Sequence, residues 1–578
     1  MQRNWTLAGI GAALILAGSL LAHAIQTAGG TTVTDVRFPA PKGVTLSGLL
    51  YVPRGVDAAH PAPAVLISHG YINTREMQSP FAIELARRGY VVLAMDMTGH
   101  GNSTGNVGAD DFGGPAALTY LQNRPFVDPR NIGLEGHSMG GAPVLAAAVA
   151  QPNGYQSMVL EGSTIGLFGP PAPGTPTYPR NLAVVFGQFD EFAGLMWQVP
   201  KGSMIAEAPR LLSLFGVGFP VAPGKVYGDV GQGAARVLFN PPVTHPWEHF
   251  SRAGIGHAVD WFQRTLTGAS APRDPLDQIW MWKEVGTLVA FIGFVILMLG
   301  SFQLLLSTKP LAPLAQSSEP VADRRGPNWW LSLALTAAIP ALTFFLFMKV
   351  GALFRPMAVF PQSVQNQLVV WALLNAGVTL LLGLVMRSAK PNLAKTDWPR
   401  AAAIAVGTVG VGYLSLAVVD AVFKTDYRFW VLGLKPLDGP HAAIFAAYLV
   451  PWSLFFLVAI RALVSKLPLK GEGEFAQIAY AALAMAGGFA VLLAVQYASL
   501  FTTGTLLSPK EPLNVIIAIQ FVPLLAVVGA IAIFTYRRTN SAVPGALICA
   551  LMISWYISAG TAIHYSPDFP MPGAARAK

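Results

Sequence analysis

From Val285 to Ile563 the chain passes through eight mostly apolar stretches, at roughly 285–307, 329–352, 366–386, 401–422, 441–463, 476–501, 513–535 and 541–563, separated by short polar connectors. A helix rises about 1.5 Å per residue, so each stretch is long enough to cross a hydrocarbon layer of about 30 Å. In lipid every backbone N–H and C=O has to be satisfied within the segment, and a continuous helix does this. The pattern predicts an all-α polytopic transmembrane domain over 285–563. Composition agrees, with 53% hydrophobic and 12% charged residues, against about 25% charged in soluble domains. At 578 residues the chain is also too long for one ordinary core, so a second module is expected.

The N-terminus reads Met1-Gln2-Arg3-Asn4, then an apolar stretch from Trp5 to Leu21, then Ala22-His23-Ala24. A short basic start, an apolar core and a small-x-small end describe a signal anchor or signal peptide over 1–25. Either one exports the module after it. Loop charge gives an independent estimate of orientation, because cytoplasmic connectors carry the excess of Lys and Arg. With the region before Val285 outside, the inner connectors hold Lys309, Arg324, Arg325, Arg387, Lys390, Lys395, Arg400, Arg461, Lys466, Lys470, Arg537 and Arg538, and the outer ones only Arg355, Lys424, Arg428, Lys435 and Lys510. The count is twelve to five in favour of an extracytoplasmic first module in a multi-pass protein of the cell membrane. Trp280, Trp282, Trp329 and Trp330 fit an interfacial aromatic belt. The net charge of +9 is spread beside apolar spans, without basic clusters interleaved with aromatics, so no nucleic-acid partner is expected. A single cysteine, Cys549, excludes an intramolecular disulfide framework and a cysteine metal site.

Residues 63–163 alternate short apolar runs with helical patterns. Val65-Leu66-Ile67, Tyr90 to Met95, Ile132 to Glu135 and Met158-Val159-Leu160 read as buried strands, with helices from about Glu76 to Arg88 and Met139 to Ala150. Continuous apolar strands separated by helices predict a parallel sheet covered on both faces, with functional groups at the carboxyl ends of its strands. Gly136-His137-Ser138-Met139-Gly140 falls at such an end, directly after a strand and opening a helix. A serine on that strained turn projects its hydroxyl from the sheet, and the flanking glycines avoid collisions with strand and helix.

On these motifs residues 32–266 resemble the α/β-hydrolase superfamily, close to its dienelactone-hydrolase-like and esterase- or peptidase-like members. Ser68-His69-Gly70-Tyr71 and Asp96-Met97-Thr98-Gly99-His100-Gly101-Asn102-Ser103 add to the likeness. The resemblance implies an α/β-hydrolase fold, Ser138 as nucleophile, and an oxyanion hole made by the backbone N–H groups of Tyr71 and Met139. Family order is nucleophile, acid, histidine. It places the acid at Asp190, after the buried run Ala183 to Gly187, with the neighbouring Glu191 as alternative and Glu161 a distant third. It places the base at His245, with His249 as alternative. His257 falls off the apolar stripe of the helix that Ser251 caps and is expected to face solvent. A helix is expected within 192–234, with Met204 to Leu214 facing the site. The short Gly166–Pro179 segment leaves little room for a large helical cap.

Those readings give a signal segment at 1–25, a hydrolase domain at 26–266, a linker at 267–284, the membrane domain at 285–563 and a tail at 564–578. The expected function is membrane-bound serine hydrolysis of ester, acyl or peptidyl bonds, with an acyl-bearing small molecule, lipid or peptide as substrate and the bilayer as partner. The alternative is a transporter or sensor whose α/β domain binds its ligand without cleaving it. His245 and His249 stand four apart as zinc ligands can, but Pro246 opposes a continuous helix and the H-E-x-x-H glutamate is missing. No phosphate-cradling glycine loop lies in a strand–helix setting. Neither metal nor cofactor is expected. Within the membrane segments Asp420, Asn375 and Gln520 are the polar candidates for a path, and Pro340, Pro451 and Pro523 are expected to kink their helices.

Overall fold

The computed structural model describes residues 2–168, 174–320, 323–385 and 394–567. Of the positions singled out in the sequence, Met1, Arg387, Lys390, the part of the Gly166–Pro179 segment at 169–173 and the 568–578 part of the tail lie outside these. The chain divides into two compact units. One comprises Leu20–Gly286 with Tyr497–Pro512 and the chain from Gly560 on, and the other Met1–Ser19, Thr287–Gln496 and Leu513–Ala559.

The first unit is built on a nine-stranded sheet. Its strands are β1 (Thr32–Pro39), β2 (Thr45–Val52), β3 (Ala62–Ser68), β4 (Val91–Asp96), β5 (Val127–His137), β6 (Ser157–Glu161), β7 (Leu182–Val185), β8 (Val226–Tyr227) and β9 (Arg236–Phe239), in the order β1-β2-β4-β3-β5-β6-β7-β9-β8. Neighbours from β4 to β9 pair in parallel, while β1, β2 and β8 are antiparallel additions at the two edges. The apolar runs explain the parallel centre. Every residue of β3, β4, β6, β7 and β9 is buried, as strands covered on both faces require. Each large aliphatic side chain removed from water there contributes about 1.5–3 kcal/mol. The α/β-hydrolase fold expected from the motifs is the fold observed.

Several expectations change in detail. The helix expected from Glu76 to Arg88 is a 3₁₀ turn at Arg75–Gln78 followed by an α-helix at Ser79–Ala86. Within 192–234 the helical structure is limited to short pieces, Ala193–Met196, a 3₁₀ turn at Gly202–Glu207 and Pro209–Phe215. Leu211, Leu214 and Phe215 of the last piece are spent in the hydrophobic core. His257 does not face solvent. It is half-buried, with its ring stacked on Phe239 at 4.2 Å between centroids. The 267–284 stretch is fastened to the sheet unit. Arg88 donates to the carbonyls of Asp274 and Asp277 at 2.6 and 2.9 Å, and Glu84 accepts from the backbone N–H groups of Ile279 and Trp280. Trp280 is buried against Phe250.

In the other unit the apolar stretches form helices. Gln2–Gln26, Trp280–Leu306, Ser363–Val385, Trp398–Phe423, Gly439–Val464, Glu474–Thr503, Pro512–Thr539 and Val543–Gly560 lie wholly or partly in it. All eight are long and apolar enough to cross a membrane among the described residues, as befits a multi-pass membrane protein. The stretch expected at 329–352 is a broken pair, Pro327–Leu342 and Phe344–Gly351, bent by 46°. Pro340 lies three residues before the break, and its carbonyl accepts a hydrogen bond from Trp371 Nε1 at 3.0 Å. Pro451 and Pro523 instead sit inside uninterrupted helices. Asn375 is consumed locally, accepting from Thr343 and donating to the Trp371 carbonyl, and Gln520 accepts from Tyr556. Trp329 is interior, its Nε1 bonded to the Leu467 carbonyl at 3.2 Å, while Trp330 remains about half exposed.

Candidate active site

Ser138 follows β5 with a left-handed φ of 55° and is followed by the helix Gly141–Ala150. The turn is too tight for side chains at its flanking glycines. A Cβ at Gly136 would meet the Gly140 carbonyl oxygen at 2.3 Å, and one at Gly140 would meet the Ser68 carbonyl oxygen at 2.3 Å. Ser163, just past β6, donates its hydroxyl to the Ser138 carbonyl at 2.6 Å and ties the turn to the next strand.

Asp190 and His245 meet on the far side of β6. Asp190 sits in the loop after β7, its Oδ1 accepting from the Phe192 N–H at 2.6 Å, and its Oδ2 lies 2.8 Å from His245 Nδ1. His245 opens a short helix, His245–Glu248, after β9. Glu191 does not compete for the ring. Its Oε2 accepts the backbone N–H of His245 at 2.8 Å, and its Oε1 accepts from the Tyr497 hydroxyl at 2.8 Å. His249 lies instead beside His137, Nδ1 to Nε2 at 3.3 Å. Glu161, at the end of β6, is fully buried. Ser138, Asp190 and His245 therefore all stand at carboxyl ends of β5, β7 and β9, and of the two histidines His245 is the one joined to Asp190.

Electrostatics separate these groups. Burial alone would drive the His245 imidazole toward its neutral form, but the charge and hydrogen bond of Asp190, aided by Glu191, raise its pKa above the usual imidazole value. Burial pushes Glu248 and Glu161 well above the usual carboxylate value, helped by neighbouring acids. Burial and the Asp190 charge push Glu191 up to about 7. His137 is held neutral by burial and by its histidine neighbours. His137, His245 and Glu248 also offer buried ligand-type atoms within 4.8 Å of one another. His245 Nδ1, which meets Asp190, also lies 3.7 Å from Glu248 Oε2.

Tyr71 follows β3 through His69-Gly70 and comes close to the serine turn, since a Cβ at Gly70 would stand 3.1 Å from Ser138 Cβ. Met139, the other expected oxyanion donor, is the residue after Ser138 and is buried. The Tyr71 loop is held by a network that sequence reasoning did not find. The Met97 N–H donates to His69 Nε2 at 3.2 Å, so the ring proton is on Nδ1 and is given to the Gly70 carbonyl at 2.8 Å. Asp96 accepts the backbone N–H groups of Arg75 and Asn102. Buried Arg75 makes a bidentate pair with Asp35 at 2.8 and 3.0 Å. Ile72, next to Tyr71, has a φ of 56°, strain that a β-branched residue carries only where its surroundings impose it. Asp96 opens the Asp96–Ser103 motif, but nothing local marks Arg75 as its partner or Asp35 as the partner of Arg75. Tyr497 and His564, whose side chains reach Glu191 and Tyr71, lie in or beside predicted membrane spans and carried no signal either.

Residues 59–189 match the family model described as serine aminopeptidase, S33. A thiohydrolase, aneE, of Aspergillus aculeatus is 31% identical over 126 residues, 20% of this chain and 37% of that protein. An uncharacterized protein of Mycobacterium tuberculosis is 31% identical over 120 residues, 20% of this chain and 42% of its own length. The chain thus spans less than half of the curated relatives it matches. Among solved structures, a dienelactone hydrolase from Anabaena variabilis shows 19% identity and a TM-score of 0.30, covering 41% of this chain and 99% of that one. With its mostly parallel sheet and its serine turn, the chain carries a domain of α/β-hydrolase fold, similar over 59–189 to the serine aminopeptidase S33 family and joined to a second domain of membrane-length helices.

Proposed function

We propose that this chain is a membrane-bound serine hydrolase that cleaves carboxylic ester or related acyl bonds, with the sheet domain on the extracytoplasmic side. The observation that carries the reading is the 2.8 Å bond between His245 Nδ1 and Asp190 Oδ2, two strands along the sheet from the left-handed Ser138 turn. Asp190 fixes the tautomer that carries its proton on Nδ1 and leaves Nε2 as the base. His245 takes the Ser138 hydroxyl proton as the oxygen attacks the acyl carbon. The carbonyl oxygen becomes negative and is received by the N–H groups of Tyr71 and Met139, each such donor being worth about 3 kcal/mol. Collapse expels the leaving alcohol, thiol or amine with the proton from His245. Water then attacks the acyl-serine with His245 again as base, releasing the acid and restoring Ser138.

The thiohydrolase and aminopeptidase names attached to similar sequences keep thioesters and peptidyl groups within the substrate class. The test is a panel of p-nitrophenyl esters of graded acyl length beside aminoacyl-p-nitroanilides, assayed with the full chain and with Ser138→Ala. Release from at least one series, lost in Ser138→Ala, is expected. Equal release by Ser138→Ala would overturn the reading.

A further inference from the structure

Two segments from the far end of the chain belong to the sheet-containing unit, Tyr497–Pro512 and the stretch from Gly560 on. The first ends the apolar helix Glu474–Thr503, and the second comes directly after Val543–Gly560. Each is fastened by more than one contact. Tyr497 donates to Glu191 Oε1 at 2.8 Å, Phe501 meets the Phe189 ring edge-on at 5.3 Å between centroids, and a Cβ at Gly504 would stand 2.6 Å from Lys201 Cδ. In the other segment the Ile563 backbone donates to the Gly99 carbonyl at 2.8 Å and accepts from the Val107 N–H at 2.9 Å. There the Tyr71 hydroxyl lies 2.8 Å from His564 Nε2. His564 Nδ1 stands 3.1 Å from the Ala562 carbonyl, which only accepts, so Nδ1 carries the proton and Nε2 receives the Tyr71 hydroxyl.

The two side chains address opposite halves of the site. Tyr497 grips the carboxylate whose other oxygen holds the His245 backbone, and His564 grips the residue whose N–H is the expected oxyanion donor. We infer that Tyr497 and His564 are positioning residues of the hydrolase site, so that residues 26–266 do not by themselves contain a complete active site. The inference rests on the proposed serine hydrolase reading. It also gives the C-terminal helices a task beyond anchorage, since a single span would anchor the enzyme.

Tyr497 has an electrostatic consequence as well. The titratable groups facing Glu191 are Asp190 in its own loop, His245 and Glu248 on the short helix, and Tyr497. The tyrosine hydroxyl favours the ionised form of Glu191, and ionised Glu191 favours protonated His245. Removing the hydroxyl keeps Glu191 neutral to higher pH and lowers the pH at which His245 loses its proton.

The test uses the full chain in detergent or nanodiscs, with Tyr497→Phe, His564→Leu and His564→Gln, the last keeping an acceptor for Tyr71. For Tyr497→Phe the expected result is a loss of about tenfold in kcat, the scale of one hydrogen bond to a charged group, with KM little changed and the acid limb of the pH profile moved to lower pH. For His564→Leu a comparable loss in kcat is expected with the acid limb in place, and His564→Gln should recover most of it. Unaltered kcat and pH profile in Tyr497→Phe and His564→Leu would overturn the inference, as would a limb unmoved in Tyr497→Phe together with no rescue by His564→Gln. If the unaltered chain neither turns over an acyl substrate nor reacts at Ser138 with a fluorophosphonate, the hydrolase reading itself fails.

Discussion

At the residue scale the arrangement around His245 rests on one short bond and on the burial of the neighbouring acids. Glu248 comes within 3.7 Å of the same ring nitrogen that Asp190 meets at 2.8 Å, and burial and nearby acids push its pKa well above the usual carboxylate value. In the proposed mechanism His245 has to be neutral to accept the serine proton. Because Asp190 and Glu191 raise its pKa, activity is expected to rise with pH through a limb above the ordinary imidazole value of about 6.5. Asp190→Asn should lower kcat by roughly 10³ to 10⁴, the cost of losing the orienting acid in such sites, and shift the surviving acid limb downward. A pH–rate profile of both proteins checks this, and a limb that stays in place would remove Asp190 from its role. The serine turn, Asp190 and His245 were legible because each lies next to a strand with a recognisable apolar run. The choice between His245 and His249 rested on the family resemblance, His245 being the first histidine after the last strand, since both occupy one short loop. Glu191 was legible only as an alternative acid, and its use as a clamp on the His245 backbone depends on Tyr497, 306 positions away.

Among the elements, the central strands could be read because both faces are buried and their sequences are continuously apolar. β1 and β2 escaped notice because they join the sheet antiparallel and their sequences are interrupted by polar residues, and β1, the edge strand, mixes exposed and half-buried positions along Thr32–Pro39. The membrane helices were legible in number, while the break at Thr343 was not, because apolarity continues across it. Their packing depends on small residues at close backbone crossings. A Cβ at Gly11 would meet Leu297 N at 2.5 Å, and one at Gly300 would meet Ala8 N at 2.3 Å, so the N-terminal helix and Trp280–Leu306 touch backbone to backbone as small-residue motifs allow. Gly300→Leu is expected to separate that pair and lower the thermal transition of the purified chain, and an unchanged transition would contradict the crossing. In the sheet domain Gly140→Val drives a side chain into the Ser68 carbonyl. Its cost is expected to reach about 3 kcal/mol or more, in the range of overpacking with backbone displacement, visible as loss of folded protein or of all turnover.

For the molecule as a whole, the proposed orientation rests on loop charge and the domain boundary on contacts. The sequence-based boundaries fall at 266 and 284, whereas contacts carry the sheet unit to Gly286 and add two later segments. Those additions were invisible because sequence distance says nothing about which connector returns to the site. Sidedness is open to direct labelling in a Cys549→Ala background, since Cys549 is the chain's only cysteine and is buried. A membrane-impermeant maleimide should modify Ala58→Cys in intact cells and Lys470→Cys only after permeabilisation, both positions being exposed, and the reverse would invert the topology. The most direct test of the central claim is the mass of the folded, full-length chain after treatment with a fluorophosphonate. One adduct is expected, mapped to the peptide carrying Ser138 and absent from Ser138→Ala, whereas a folded chain that stays unlabelled, or labels at another residue, would contradict the account.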